Sequence, residues 1–450
     1  MRNPTDMTSG KPGRIIFSFM MPLLTANIMQ QMYVMTDTVI VARGVGVEAL
    51  AAIGTTDMLR SFVLWGVTGL SEGFGVVIAI LEGGGKREEV KESIRAAYWL
   101  TFLVGIVAAA AGIPAVKPLL RLIHVPEHIF RESEVYLIIM YAGTFATMLY
   151  STGAAVLRAF GDSKTPFWGM LLSSLVNIIL DLLFVFVFPW GIAGAGAATI
   201  IAQLLSGFYC FREVNKRLTQ KMKWKLTRGD LAWCRELLQK GLPSAFQNSF
   251  IAVGGVIFQS VINSYGIYYV AGFTAVSKLY LILEGAALAL KGALMSFVGQ
   301  NMGAGKYHRI SEGIKMSLLM SGILSAVSGV LLIFFGRQIL MLFISADPGT
   351  EKMVLDIAYN FLFNMCVMMF TLYLLDVGRG TVMGLGNTMA PMFSGVAELL
   401  GRLLTGLSLT VFLGEQALYL AEPMAWVCGD LIVIPAIYYI LHKRRKSVTK

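Results

Sequence analysis

The sequence is poor in charged residues. Only 14% of its 450 residues are Asp, Glu, Lys or Arg, against about 25% in an ordinary soluble domain. By contrast, 56% are hydrophobic, and the mean hydropathy is +0.69. No stretch is left over for a separate soluble domain. At about 20 residues per bilayer crossing, we predict an all-α membrane protein with twelve transmembrane helices.

Cysteine is also scarce, and no site chemistry stands out. The four cysteines lack a CxxC or metal-ligand spacing, so neither a disulfide framework nor a metal site is expected. No clustered catalytic constellation is present, so we expect neither an enzyme nor a cofactor. The net charge of +10 comes without a nucleic-acid-binding motif, so the expected surroundings are membrane lipids and not nucleic acid. The first fourteen residues hold no apolar run, and no cleavable signal peptide is expected.

Apolar stretches separated by Gly, Pro and charge clusters mark the helices. The predicted spans are 15–42, 54–80, 95–116, 133–157, 165–188, 191–211, 243–264, 268–299, 316–335, 353–384, 388–413 and 422–441. Most Lys and Arg residues fall in the connecting segments on one side. The positive-inside rule then predicts a multi-pass protein of the cell inner membrane with both termini cytoplasmic.

A basic segment divides the chain, and the two parts resemble each other. Residues 212–240 are predicted to be a cytoplasmic linker between an N-terminal six-helix lobe, 1–211, and a C-terminal six-helix lobe, 241–450. EGGGKREEVKESI (82–94) resembles MGAGKYHRISEGI (302–314), and LRAFGDSKTP (157–166) resembles VMGLGNTMAP (382–391). Each copy has an even number of crossings, so the copies are parallel repeats. Such repeats are typical of transporters that work by alternating access.

Charged residues inside the membrane are functional candidates because each costs roughly 2.5–3.5 kcal/mol to insert. In the C-terminal half, acids and bases share helix faces at spacings of three, four or seven residues. The pairs are Glu398 with Arg402, Asp376 with Arg379, and Glu284 with Lys291. Neutral structural pairs explain them as well as function does, so Glu284 and Glu398 are weaker candidates.

Asp37 and Asp181 differ because neither has a basic residue three, four or seven positions away on its own helix. Both helices run outward, which puts the two carboxyl groups at one depth in the outer half of the membrane. Asn177 lies one turn before Asp181, and Thr199 and Tyr136 fall at similar depth. We predict that these five residues form a polar pocket that binds a proton or a dehydrated monovalent cation. A hydrogen-bonded structural role is the alternative. The repeat maps Asp37 onto Phe258 and Asp181 onto Gly406, so the architecture alone does not require acids.

Two further residues belong to the candidate machinery. Pro22 lies inside the first predicted helix, where it removes a backbone hydrogen bond and permits a bend. A simple kink is the alternative. Glu72, in GLSEGFG on the second helix, is a weaker candidate for contact with a cation, and its flanking glycines equally suit close helix packing.

Several motifs together resemble the multidrug and toxic compound extrusion (MATE) family. They are Pro22, MTDTVIVARGVGVEALAAIG (35–54), LRAFGDSKTP, NIILD (177–181), GIAGAGAATIIAQ (191–203) and VGQNMGAGK (298–306). The resemblance covers nearly the whole chain. It implies a V-shaped bundle of two lobes that acts as a monomer and exports small cationic amphipathic compounds in exchange for inward H⁺ or Na⁺.

The DinF-type branch of this family is the most similar. In that branch, the resemblance implies that Asp37, Asn177, Asp181 and Thr199 form the N-lobe polar network, and that protonation bends helix one at Pro22. The predicted seventh helix contains no acid, which argues against the branch with a C-lobe cation site. We therefore predict multidrug efflux by antiport through N-lobe carboxylates. The alternative is a lipid-linked precursor flippase of the same superfamily.

Overall fold

The chain folds into a set of long helices in a computed structural model that describes residues 6–218, 225, 227–344 and 349–448. Over these residues the regular structure is helical throughout, without a β-strand. The helices are α1 (Pro12–Gly44), α2 (Val47–Gly83), α3 (Arg87–Leu122), α4 (Glu127–Ala142), α5 (Thr144–Ala159), α6 (Lys164–Leu182), α7 (Gly191–Arg217), α8 (Arg228–Ser264), α9 (Ile267–Gly303), α10 (Tyr307–Met341), α11 (Glu351–Val367), α12 (Met369–Gly384), α13 (Met389–Leu403), α14 (Thr410–Leu413) and α15 (Gln416–Val448).

Most predicted spans coincide with helices long enough to cross a bilayer. Nine elements of the described chain pass that test singly, and eleven pass if two bent pairs are each one span. The bent pairs are α4 with α5, at 42°, and α11 with α12, at 52°. They correspond to the fourth and tenth predicted spans, which are the fourth helix of each repeat. The all-helical membrane architecture is thus confirmed, with one break in the same place in both halves.

The predicted span 388–413 is not one long helix. It consists of α13, a five-residue π-helical turn at Leu404–Ser408 and the four-residue α14. A matching π-helical turn, Leu183–Val187, follows α6 in the first half. π-helical turns are frequent at functional sites because they release side chains from the regular helical pattern. The first of them begins two residues after Asp181.

By its contacts, the described chain divides into two units. Among the described residues, the N-unit contains Asp6 and those from 21 to 245, and the C-unit contains those from 7 to 20 and from 246 to 448. Two helices pass from one unit to the other along their length. α1 does so next to Pro22, and α8 does so next to Pro243. Both prolines interrupt the helical hydrogen-bond ladder at the point of passage.

The predicted linker 212–240 is therefore only partly a connection. Residues up to Arg217 continue α7, and residues from Arg228 onwards open α8. Within the N-unit, Arg95 of α3 holds this start of α8 through a bidentate pair with Asp230, at 2.6 and 2.8 Å. Residues 219–224 and 226, in the middle of the predicted linker, lie outside the described residues.

The C-unit holds the chain before α1 in a similar manner. The Arg309 guanidinium donates to the backbone carbonyls of Gly10, at 2.7 Å, and of Met7 and Ser9, each at 3.2 Å. Lys306 donates to the carbonyl of Thr8 at 2.8 Å. Both basic residues lie in or just after VGQNMGAGK, one of the motifs singled out in the sequence. That motif therefore anchors the start of the first membrane helix.

Close packing in the N-unit depends on small residues of α2. A Cβ atom on Gly73 would lie 2.5 Å from the Cα of Gly241 in α8, and one on Gly69 would lie 2.5 Å from the carbonyl oxygen of Ser244. These glycines let the backbones of α2 and α8 touch. Two glycines of GLSEGFG therefore have a direct packing role. Glu72, which lies between Gly69 and Gly73 in the sequence, is half-buried.

The two repeats share a turn that begins α6 in one and α13 in the other. Asp162 Oδ1 accepts from the backbone N–H groups of Lys164 and Thr165, at 2.9 and 3.0 Å. Asn387 does the same in the second repeat at 3.0 and 3.1 Å. Asp162 also pairs with Arg217. Burial alone would raise the pKa of the Asp162 carboxyl, but the Thr165 hydrogen bonds and Arg217 hold that pKa below its usual value.

Candidate functional site

The two acids singled out in the N-unit lie side by side. The carboxyl groups of Asp37, on α1, and Asp181, on α6, are within hydrogen-bonding reach of each other. Asp181 is fully buried, and one oxygen of each carboxyl group, Oδ1, is buried without a hydrogen-bond partner. Buried polar atoms usually have a partner. Two such atoms beside facing carboxyl groups make this pair the leading candidate site.

Asn177 and Thr199 join the pair as the sequence predicts. The Asn177 amide satisfies both neighbours when its nitrogen donates to Asp181 Oδ2 at 2.7 Å and its oxygen accepts from the Thr199 backbone N–H at 3.1 Å. The hydroxyl of Thr199 donates to the carbonyl of Ala195 at 3.1 Å. Asn177 is 1% exposed, so it holds Asp181 in place from within the bundle.

Tyr136, on α4, completes the predicted group of five. It is 6% exposed and lies within electrostatic range of Asp37 and Asp181. In the bent span formed by α4 and α5, the residue at the site therefore comes from α4, which precedes the bend at Gly143. All five residues belong to the N-unit.

The structure adds two residues that sequence reasoning did not include. Tyr33 lies one turn before Asp37 on the same face of α1, reaches towards Thr199, and faces both acids. Its i,i+4 spacing from Asp37 was a usable signal. Arg60, on α2, pairs with Asp57 at 2.5 Å and acts electrostatically on Asp37. No spacing rule could find Arg60, because it approaches from another helix.

Pro22 and Glu72 lie outside this cluster. Pro22 is inside α1, which continues through it as one helix, and it stands where α1 passes between the units. Glu72 is half-buried on α2, about three turns beyond Arg60 and between the glycines that pack against α8. It is not among the groups that act on either carboxyl of the pair.

The C-unit holds a second, different set of buried charges that runs across helices. Arg379 donates to Glu398 at 2.7 Å, and Arg402 donates to Glu398 at 3.2 Å and to Glu422 at 2.8 Å. The predicted pair Glu398 with Arg402 is present. Arg379 also bonds across helices, to Glu398 and to Ser394 on α13, partners that spacing along its own helix does not reveal. Glu398 is thus held by two arginines, the arrangement expected of a structural ion pair.

Glu284 lies near this set and is half-buried on α9, in electrostatic range of Asp376, Glu398 and Glu422. Sequence reasoning omitted Glu422 and Asp430, both on α15. Asp430 is 6% exposed, and its Oδ1 has no hydrogen-bond partner. The last predicted span contains both acids, so their position in an apolar helix was a signal that could have been used.

At the positions that the repeat equates with Asp37 and Asp181, the C-unit has an apolar contact. Phe258 is 1% exposed, and a Cβ atom on Gly406 would lie 3.1 Å from its ring. At equivalent positions of the two repeats, two carboxyl groups meet in the N-unit, and an aromatic ring meets a glycine in the C-unit. Packing of this fold does not need acids there.

A protein-family model matches both halves of this chain. The MatE model matches this chain twice, over residues 22–183 and 243–406. The chain belongs to the MatE family. The two matched segments also agree with the internal repeat, since each covers most of one predicted lobe. This family consists of membrane transporters, so the chain is a transporter and not an enzyme.

Individual relatives agree with this assignment. The probable multidrug resistance protein YpnP of Bacillus subtilis is 30% identical over 346 residues, which cover 76% of each chain. The FAD transporter of Shewanella oneidensis is 27% identical over 356 residues, which cover 77% of this chain and 78% of that one. A solved MOP superfamily transporter from Pyrococcus furiosus superposes with a TM-score of 0.88 at 18% identity, over 100% of both chains. That last likeness shows the fold.

Proposed function

We propose that this MatE family transporter exports small organic cations, driven by inward movement of H⁺ or Na⁺ through the Asp37 and Asp181 pair. The observation that carries this proposal is the contact of two carboxyl groups, each with a buried oxygen lacking a partner. Two unit charges about 4 Å apart repel by roughly 4 kcal/mol at an effective dielectric constant of about 20. A proton or a small monovalent cation relieves that repulsion.

Arg60 and Asn177 determine how much of the negative charge on Asp37 and Asp181 a bound ion must neutralise. Arg60 acts on Asp37 but is itself paired with Asp57, so it compensates only part of the charge of the two acids. Asn177 donates to Asp181 and leaves the facing oxygens free for an ion. Tyr33 and Tyr136 border the pair and could bond to a proton carrier or coordinate a cation. This arrangement suits reversible loading more than permanent neutralisation.

The change in charge would act on α1. Asp37 lies on the same helix as Pro22, which interrupts the helical hydrogen bonds where α1 passes between the units. Neutralising Asp37 removes its repulsion from Asp181 and lets the two helices approach. We expect α1 to absorb this movement by bending at Pro22, because a bend there breaks no further backbone hydrogen bond.

Multidrug efflux follows from the relatives named as multidrug resistance proteins, and other substrates are distinguishable alternatives. A relative named as an FAD transporter makes a flavin nucleotide the second candidate substrate. A lipid-linked precursor is the third, as the sequence suggested. We place the protein in the cell inner membrane with both termini cytoplasmic, on the distribution of Lys and Arg. The DinF-type branch remains a prediction.

The test is transport in everted membrane vesicles under separately imposed proton and sodium gradients. Wild type is compared with Asp37→Asn and Asp181→Asn, using ethidium and FAD as substrates. Asp356→Asn is the matched control, since Asp356 is about half exposed and lies in the C-unit. We expect each site variant to lose at least about ten-fold of gradient-driven ethidium uptake, and the control to retain it.

The outcomes separate the parts of the proposal. If either site variant pumps like wild type under both gradients, the carboxyl pair is not the coupling site. If wild type moves FAD and no ethidium, the cation assignment is wrong while the coupling site stands. Whichever gradient drives uptake identifies the coupling ion.

A further inference from the structure

The C-unit has an apolar cavity near one end of its bundle. It lies between α10, α12 and α15 and has a volume of about 400 Å³. Ile314 and Leu318 of α10, Leu374 of α12, and Ile434 and Ile437 of α15 are among the residues that line it. The volume is comparable to that of one lipid acyl chain, and none of the lining residues is Asp, Glu, Lys or Arg.

Two of the helices that border this cavity pack closely together. A Cβ atom on Gly378 would lie 2.5 Å from the side chain of Val433, so the backbone of α12 lies directly against α15 there. The opening lies at the surface of the unit, since Ile434 is 45% and Tyr438 72% exposed. In a membrane protein such apolar exposure faces lipid.

Two lysines adjoin residues that line the cavity. Tyr438 and His442, both lining residues, stack with their rings 5.7 Å apart. Lys443 follows His442, and its ammonium lies 5.9 Å from the ring of Tyr439. Lys315 is exposed next to the lining residue Ile314. Positive charge thus lies beside a lining that is mainly apolar.

We propose that this cavity binds one anionic phospholipid, with an acyl chain between α10, α12 and α15 and its phosphate group at Lys315 and Lys443. The two parts of the site match the two parts of such a lipid. Basic residues near a membrane surface attract anionic headgroups by about 1 kcal/mol each, and the apolar interior excludes a free phosphate ion as the occupant.

The cavity lies next to the buried ion pairs of the C-unit, because both involve α12. Val377 and Gly378 line the cavity, and they stand between Asp376 and Arg379 in the sequence. An acyl chain against α12 at this level packs against the helix that carries Arg379 into its bond with Glu398. The bound lipid is thus a structural ligand of this unit, independent of the carboxyl pair of the N-unit.

Native mass spectrometry of the purified full chain tests the proposal. The protein is titrated with phosphatidylglycerol and with phosphatidylcholine of the same acyl chains. We expect one tight phosphatidylglycerol adduct on wild type. The double variant Lys315→Gln with Lys443→Gln should bind phosphatidylglycerol about 30-fold more weakly, roughly five-fold for each lysine. The control double variant Lys86→Gln with Lys164→Gln removes two exposed lysines from the N-unit and should leave binding unchanged.

Substitutions that fill the cavity test where the acyl chain binds. Ile434→Trp and Leu318→Trp each place a ring in the acyl-chain space and should remove the tight adduct. Ile323→Trp, a 55% exposed position elsewhere on α10, should not. Two filling positions keep the test valid if one variant is not recovered as folded protein. Equal binding of the two lipids to wild type, an equal loss in the control double variant, or a tight adduct on a folded filled variant would each overturn the proposal.

Discussion

Arg402 ties three helices of the C-unit together, and its removal should destabilise that unit strongly. From α13 it donates to Glu398 on the same helix, to Glu422 on α15 at 2.8 Å, and to the backbone carbonyl of Ile251 on α8 at 3.3 Å. Its side chain is 5% exposed. Gly254 makes room for it, because a Cβ atom there would lie 2.7 Å from an Arg402 nitrogen.

The magnitude follows from the charges left behind. In Arg402→Leu, Glu398 keeps Arg379, but Glu422 loses the arginine at 2.8 Å. Breaking a buried ion pair by removing one partner costs about 3–5 kcal/mol, whereas replacing both partners by apolar groups is often nearly neutral. At about 2–4 °C per kcal/mol for a unit of this size, the melting temperature should fall by roughly 6–20 °C. Arg402→Leu combined with Glu422→Leu should recover most of the loss.

The assay is thermal unfolding of the purified protein in detergent, followed with a thiol-reactive fluorophore that labels the buried Cys210 and Cys366 as they become exposed. The matched control is Arg337→Leu, which breaks a pair with Asp356 at 2.8 Å that is nearly half exposed. That variant should lose no more than about 1 kcal/mol. If Arg402→Leu melts within a few degrees of this control, or if the double variant is less stable than Arg402→Leu, the charge argument is refuted.

Two further predictions concern the ends of helices. Because the pKa of Asp162 lies below its usual value, its contribution to stability is present above about pH 4 and is lost as the pH falls below that. Asp162→Asn keeps the turn that Asn387 forms in the other repeat but loses the charge facing Arg217, so its melting temperature should be lower at pH 7 and should vary less with pH below about 4; a curve parallel to wild type would contradict this. Arg309→Ala should free the residues before α1 and speed tryptic cleavage after the exposed Arg14, in the first turn of α1, at least several-fold, measured by mass spectrometry of the digest. An unchanged rate would show that Arg309 does not hold this segment.

Some residues of the candidate site could be predicted from the sequence, and others could not. Asp37, Asn177 and Asp181 could be assigned to one depth because helical rise and chain direction are local properties that add up along a span. Tyr33 is accessible by the same reasoning, since it lies one turn from Asp37. Arg60 is not, because its approach to Asp37 depends on how α2 packs against α1, which no spacing within one helix records.

Hydropathy and periodicity were enough to identify a membrane protein, its helical class and its duplication, because every stretch of about 20 residues carries these signals independently of the rest. Which charges meet depends instead on how the helices pack: Arg379 bonds to Glu398 across helices, and Asp37 reaches Asp181. The tertiary structure also decided that the predicted span 388–413 contains a π-helical turn and that α1 and α8 each belong partly to both units. Contacts between helices depend on packing at many positions at once, and the order of residues along one helix does not contain that information.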